Sequence, residues 1–323
     1  MKISSLTLPK DRCLRMPNDD TVLILPSVLG VFDGATAPQK RMPGGPSSGL
    51  LASRAASQAV AGLALDHDLI RLPPVNIFAA ISARIRAASQ LEGTEDKPST
   101  TMALAILGQD EVRFVVVGDS SVRVNGTRLI QRKKPIDDVS TQSRLAVHSI
   151  LSQRHPDPDE VEKLSRYVCF EGYDAALQQG ILSASETGRI CDMLVARFAN
   201  LTDPEILSGF LDWGIRSQFM LANRTDHPMG FPTLNCDETS LVDIIDLRLP
   251  LADLTSVELF TDGYFQTPDA VSIAAWEQSF ALSEAEDFHK LHRFANVKGS
   301  TSREFADDRS VIVVDSINGI KAA

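Results

Sequence analysis

Four short apolar runs, scattered along a chain of 323 residues, each meet an aspartate. They are Gly30-Val-Phe-Asp33-Gly34, Val115-Val-Val-Gly118-Asp119-Ser120, Glu258-Leu-Phe-Thr-Asp262-Gly263 and Asp307-Asp308-Arg-Ser310 leading into Val311–Val314. A fifth acidic pair, Asp19-Asp20, precedes the apolar run at 21–25. Short runs of this kind, bounded by Gly and Asp, read as strands with their turns. A buried carboxylate without a partner is costly, so an Asp at the end of a core strand needs one. A single case is ordinary turn chemistry. Five together suggest a shared cation. An oxygen-only donor set suits Mg²⁺ or Mn²⁺. Zinc favours His or Cys, and neither clusters here. His289 and His292 have i, i+3 spacing on an expected helix and read as a solvated face. Gly34 and Gly263 lack a Cβ and allow close backbone approach beside the acidic groups.

The same pattern bounds the fold. Val28–Asp33 is an expected strand, followed by a Pro- and Gly-rich loop to Gly49. Ser47 and Ser48 can cap a helix whose apolar positions include Leu50, Leu51, Ala55, Ala59 and Leu63. A second helix is expected from about Pro74 to Gln90. Thr100–Leu107, Arg113–Val117 and Ser121–Val124 follow as strands, and Asn125-Gly126 fits a type I′ turn into Thr127–Ile130. From about 135 to 227 the spacing becomes helical, with a capping box at Ser183-Ala-Ser-Glu186 and a start at Asp203-Pro204. Strands are expected again at Leu241–Leu249, Val257–Thr261 and Ser310–Asp315, and helix over most of Pro268–Arg293. The expectation is an α+β layered sandwich over 1–323, one domain carrying a helical insertion.

Charge excludes some functions. With 42 acidic and 32 basic residues, a net charge of −10 disfavours general nucleic-acid binding. Locally bound cations would let such a chain meet an anionic substrate. No CxxC occurs among the four cysteines, which reads as reduced thiols. The N-terminal residues lack a signal-peptide core, and no run reaches the ~20 apolar residues of a membrane span. A cytoplasmic protein is therefore expected, without nucleic-acid or membrane partners.

In order, these residues resemble the motifs of the metal-dependent protein phosphatase family, the protein phosphatase 2C type. Arg15-Met-Pro-Asn-Asp19-Asp20 resembles its Arg-x-x-x-Glu-Asp, and Asp33-Gly34 its Asp-Gly. Pro98-Ser-Thr-Thr101 resembles its Gly-Ser/Thr-Thr strand, and Gly118-Asp119-Ser120 its Gly-Asp-Ser hairpin. Thr261-Asp262-Gly263 resembles its Ser-Asp-Gly, and Asp307-Asp308-Arg309-Ser310 its Asp-Asn-x-Ser/Thr. Gly230–Asn235 is similar to a short turn of bacterial members.

The resemblance implies a four-layer αββα sandwich of two antiparallel sheets flanked by helices. It implies two or three Mg²⁺ or Mn²⁺ ions and a phosphoserine- or phosphothreonine-containing protein substrate. Asp33 would bridge two metals; Asp262 and Asp307 would complete one, and Asp19 with the Gly34 carbonyl the other. Asp119 with Asp262 would hold a third. Asp20 would orient metal-bound water, and Arg15 would bind the substrate phosphate. The insertion is a candidate partner-binding element, as well as a packed decoration.

Several positions depart from the family pattern. Ala35 stands where many eukaryotic members carry a His that can act as general acid, Asp19 stands for Glu, and Pro98 for Gly. The usual Gly-Gly is displaced to Gly44-Gly45, and Lys40, Arg41, Lys133 and Lys134 are candidate guides for a phosphopeptide. These departures keep open an alternative: a catalytically weak or inactive pseudophosphatase of the same fold that acts by binding. A haloacid-dehalogenase-type reading fails because position 35 is Ala rather than a second Asp. A phosphate-loop reading fails because Gly44–Gly49 lacks the Lys-Ser/Thr pair.

Overall fold

The computed structural model describes residues 2–35, 46–92 and 97–317. Lys40, Arg41, Gly44 and Gly45 lie outside the described residues. In chain order the elements are β1 (Lys2–Leu8), β2 (Thr21–Ile24), β3 (Val28–Phe32), α1 (Ser48–Asp66), α2 (Pro74–Glu92), β4 (Met102–Leu107), β5 (Glu111–Val117), β6 (Ser121–Val124) and β7 (Arg128–Ile130). Then come α3 (Pro135–Leu151), α4 (Pro158–Glu171), α5 (Tyr173–Gln178), α6 (Ala184–Arg197) and α7 (Pro204–Trp213), and finally β8 (Ile245–Pro250), β9 (Ser256–Phe260), α8 (Ile273–Glu286) and β10 (Arg309–Asp315). The chain divides into two compact units: 1–133 with 232–282 and 307–323, and 134–231 with 283–306.

The first unit contains two five-stranded sheets, ordered β1-β10-β9-β6-β7 and β2-β3-β4-β5-β8, with every pairing antiparallel. Side chains alternate between the faces of a strand, and here both faces are apolar. From β3, Leu29 and Val31 pack between the sheets, as do Ala103 and Ala105 of β4 and Phe114 and Val116 of β5. They meet Val122, Val257, Leu259, Ile312 and Val314 of the other sheet. The alternate residues Val28, Phe32, Met102, Leu104, Val115 and Val117 pack instead with α1 and α2 residues such as Ala52, Ala56, Ile77 and Ile81.

The outer face of the β9/β6 sheet is polar at its centre. The Arg123 guanidinium donates to both carboxylate oxygens of Glu258, and Trp276 Nε1 of α8 donates to Glu258 Oε1 at 2.7 Å. Phe260 and Tyr264 stack around the Trp276 ring, at centroid distances of 4.5 and 4.9 Å. Helices, sheet, sheet and helix therefore form four layers: an α+β sandwich of two antiparallel sheets flanked by helices.

Turn chemistry follows the sequence closely. Asn125 and Gly126 both have positive φ, 55° and 67°, as a type I′ turn requires. Ser47 caps α1 through the Leu50 N–H, and Ser183 with Glu186 forms the expected capping box of α6.

Two local expectations change, and one strand joins those expected from the sequence. The segment at 2–8 is a strand, β1, held by register against β10 from Lys2↔Asp315 to Leu8↔Arg309. The strand expected from Leu241 begins only at Ile245. Ser240 Oγ accepts the Val242 N–H and Asp243 has φ 62°, which make a turn there. The helix expected through Arg293 ends at Glu286. The Asp287 carboxylate accepts the N–H groups of Leu291, His292 and Phe294, and Lys290 has φ 51°. Those bonds replace helical ones, so His289 and His292 lie on a loop, not on a helix face.

The second unit buries its own core, which includes Val139, Val147, Val161, Val168, Leu194 and Phe210. Its polar centre is the fully buried Arg144, paired with the equally buried Glu162. Arg144 also donates to the carbonyls of His289, Lys290 and Asn296. Glu162 accepts the Gly299 N–H at 2.7 Å. The 287–299 loop is thus fastened by its carbonyls and amides to residues of α3 and α4.

Candidate metal centre

Antiparallel pairing brings alternate strand ends to one edge of a sheet. The end of β3 meets the start of β4: Thr101 N–H and Thr100 Oγ1 both donate to the Asp33 carbonyl, at 2.9 and 2.7 Å. Asp119 follows β5 through Gly118, whose φ is +77°. A Cβ there would lie 2.5 Å from Thr101 Cγ2, so glycine suits the position twice over. Thr101 Oγ1 and Ser120 Oγ, 2.7 Å apart, tie this turn to β4. Asp262 follows β9. Oxygen atoms of Asp33, Asp119 and Asp262 all lie within 4.8 Å of one another, and all three residues are half-buried.

A second acidic group forms where β1, β2 and β10 meet. The β1–β10 register ends at Leu8↔Arg309, so the next residues of each strand remain neighbours. Lys10 N–H donates to Asp308 Oδ1 at 2.7 Å. Lys10 Nζ stands 3.1 Å from Asp308 Oδ2, 3.7 Å from Asp307 Oδ1 and 4.0 Å from Asp19 Oδ2. Burial opposes the charge on this ammonium. Asp307, Asp308 and Asp19 outweigh it and hold the Lys10 pKa above its usual value. Burial pushes the Asp308 carboxyl up, with Lys10 pulling the other way. We take the pair as ionised, because Asp308 accepts from both ends of Lys10.

Asp19 also accepts the Ser47 hydroxyl, and its carbonyl accepts Ser53 Oγ at 2.6 Å. Gly34 closes the cradle: a Cβ there would fall 2.5 Å from the Asp19 carbonyl oxygen and from Gly49. Asp20, beside it, is buried. Its Oδ2 accepts Thr261 Oγ1 at 2.8 Å, and its Oδ1 is buried with no hydrogen-bond partner. Burial, with Asp308 and Asp307 nearby, pushes the Asp20 carboxyl up to about 8. Arg15 is exposed, on the segment between β1 and β2, and its N–H donates to Asp11 Oδ2 at 2.7 Å.

These observations fit a divalent cation. Three carboxylate oxygens at mutual coordination reach and a backbone cradle closed to Cβ offer oxygen donors only. Of the sequence-expected ligands, Asp33, Asp119 and Asp262 come together. Asp19 and Asp307 share Lys10. The sequence reading missed Lys10, because it missed β1; the run Lys2–Leu8 carried a partial alternation with Ile3, Leu6 and Leu8 that could have revealed the strand.

No family model and no curated protein matches the sequence. Among solved structures, the chain is similar over nearly its full length to bacterial phosphatases. A bacterial serine phosphatase is 14% identical, with 100% of both chains covered and a TM-score of 0.48. The serine/threonine phosphatase Stp1 from Staphylococcus aureus is 13% identical, covering 98% of this chain and 95% of that one, with a TM-score of 0.47. The Mycobacterium tuberculosis serine/threonine phosphatase PstP/Ppp is 16% identical, with 98% of each covered and a TM-score of 0.42. Among the described residues no helix is long and apolar enough to cross a membrane.

The raised Asp20 pKa has a consequence for the metal-free protein. Between about 4 and 8 the folded carboxyl holds a proton that the unfolded chain has lost, so stability falls as pH rises across that window. The slope is at most about 1.4 kcal/mol per pH unit. Asp20→Asn removes the titration while keeping the shape. In chelator, the variant should gain stability over the wild type steadily from pH 5 to pH 8, read from urea midpoints. A difference that does not change with pH would refute the buried, protonated Asp20.

Proposed function

We propose that the protein is a metal-dependent phosphatase that hydrolyses phosphate monoesters, with phosphoserine- and phosphothreonine-bearing proteins as its substrate class. The observation that carries this reading is the gathering of Asp33, Asp119 and Asp262, from three separate strand ends, within 4.8 Å. The ordered motif resemblance, from Arg15 to Ser310, supplies the reaction. Asp33, Asp119 and Asp262, with Asp19, Asp307 and the Gly34 carbonyl, are the proposed donors for Mg²⁺ or Mn²⁺. When bound, the ions supply Lewis acidity: they lower the pKa of water from 15.7 towards about 7 and offset charge on the phosphoryl oxygens.

The chain's own groups do the rest. Arg15 is exposed and carries a guanidinium fork, which suits two parallel hydrogen bonds to a phosphate. Asp20, with one carboxylate oxygen hydrogen-bonded to Thr261 and the other not, is assigned to orienting the attacking water. The Ala35 methyl group has no acidic proton to donate, so this chain offers no side chain there for the leaving group. The alternative, a binding protein of the same fold without turnover, rests on that same Ala35.

Phosphate release from an aryl phosphate and from a phosphothreonine peptide, with Mn²⁺ or Mg²⁺ and with chelator, separates the two readings. Turnover that requires the metal supports the phosphatase. No release from either substrate with either metal, by protein that is folded, refutes it.

A further inference from the structure

We propose that Lys10 is a tethered cation that competes with a divalent ion for Asp19 and Asp307, so that the wild-type chain binds fewer metal ions than its carboxylates could hold. This rests on the metal-centre reading above and goes beyond it, because it concerns how many ions the site takes and what sets that number.

Position comes first. Lys10 is fixed at both ends by one carboxylate: its N–H donates to Asp308 Oδ1 at 2.7 Å, and its Nζ to Asp308 Oδ2 at 3.1 Å. The backbone is held there by the β1–β10 ladder, which ends two residues earlier at Leu8↔Arg309. The Lys10 side chain is a quarter exposed, and those of Asp307 and Asp19 are 16% and 14% exposed. A flexible surface lysine would extend into water; this one is directed back among three acids.

Charge comes second. An ammonium is a compact point charge, and it draws carboxylates together as an ion would. Like charges a few ångströms apart in part-buried surroundings repel, because little water lies between them to screen the field. A divalent ion bound to Asp19 or Asp307 would share those carboxylates with Lys10 Nζ, which stands 4.0 Å and 3.7 Å from them, and would be repelled by it. Lys10 therefore weakens any ion on its side of the cluster. The three oxygens of Asp33, Asp119 and Asp262 lie within 4.8 Å of one another, and the carboxylates paired with Lys10 are those of Asp19, Asp307 and Asp308.

Calorimetric titration with Mn²⁺, together with electron paramagnetic resonance of free Mn²⁺, tests this on the full chain. Lys10→Met keeps the length and removes the charge; Lys10→Arg keeps the charge. The Met variant should bind one more ion, or bind its weakest ion at least about tenfold tighter, while the Arg variant should match the wild type. Loss of Lys10 could leave Asp308 uncompensated and unfold the chain. The double variant Lys10→Met with Asp308→Asn restores that balance and should show the same gain. An unchanged stoichiometry and affinity in folded Met and double variants, where Asp33→Asn does reduce Mn²⁺ binding, overturns the role of Lys10 and leaves the metal centre standing. Absence of Mn²⁺ binding in the wild type and in every Lys10 variant overturns both.

Discussion

Asp33→Asn should reduce metal-dependent phosphate release by about 10³-fold or more, and abolish the rise in melting temperature that Mn²⁺ gives, while the chelated protein keeps its fold. The size follows from what a carboxylate does for a hard cation. Losing several kcal/mol of transition-state charge stabilisation costs a factor of ten for each 1.36 kcal/mol. The fold should survive because the local geometry is set by the main chain. The Asp33 carbonyl, not its carboxylate, takes the Thr100 and Thr101 hydrogen bonds that join β3 to β4. Asn has nearly the same shape as Asp and lacks only the charge. A variant that keeps both turnover and metal-induced stabilisation would remove Asp33 from the centre. A variant that unfolds without metal would give Asp33 a structural role instead.

The second large effect is on stability. Glu258→Ala should cost about 3–5 kcal/mol, seen as a lower urea midpoint for the sandwich, because it leaves the buried Arg123 charge with only the Pro268 and Ala270 carbonyls, and the Trp276 indole N–H without its acceptor. Both Arg123 and Glu258 side chains are at most 2% exposed, so water cannot replace the lost partner. Screening makes the exposed pair Arg293–Glu286, at 62% and 47% exposure, a natural control. Arg293→Ala should change stability by no more than about 0.5 kcal/mol. Equal losses from the two variants would show that burial does not set the strength of the Arg123–Glu258 pair.

These two sites show different kinds of legibility. Asp33, Asp119 and Asp262 could be singled out because each interrupts an apolar run at a turn, a local pattern. Glu258 could not, since within the run Glu258–Phe260 it reads as an ordinary polar residue on a strand face. Its partners lie far off in sequence, at Arg123 and Trp276, and only the stacking of β6, β9 and α8 brings them together. The same holds for the loop at 287–299. Helical spacing continued past Glu286, but Asp287 and the buried Arg144 capture the backbone groups that would have extended the helix.

By itself the sequence determined the strands that end in aspartate, the caps of α1 and α6, the Asn125-Gly126 turn and the acidic, oxygen-rich chemistry, because each depends on neighbours a few residues apart. Tertiary structure alone decided which carboxylates gather within 4.8 Å of one another and which share Lys10. The β1–β10 ladder joins the two ends of the chain, pairing Leu8 with Arg309 and so carrying an ammonium to Asp307 and Asp308. Electrostatic energy depends on distance in space, and no local pattern of residues encodes a distance between positions some three hundred apart.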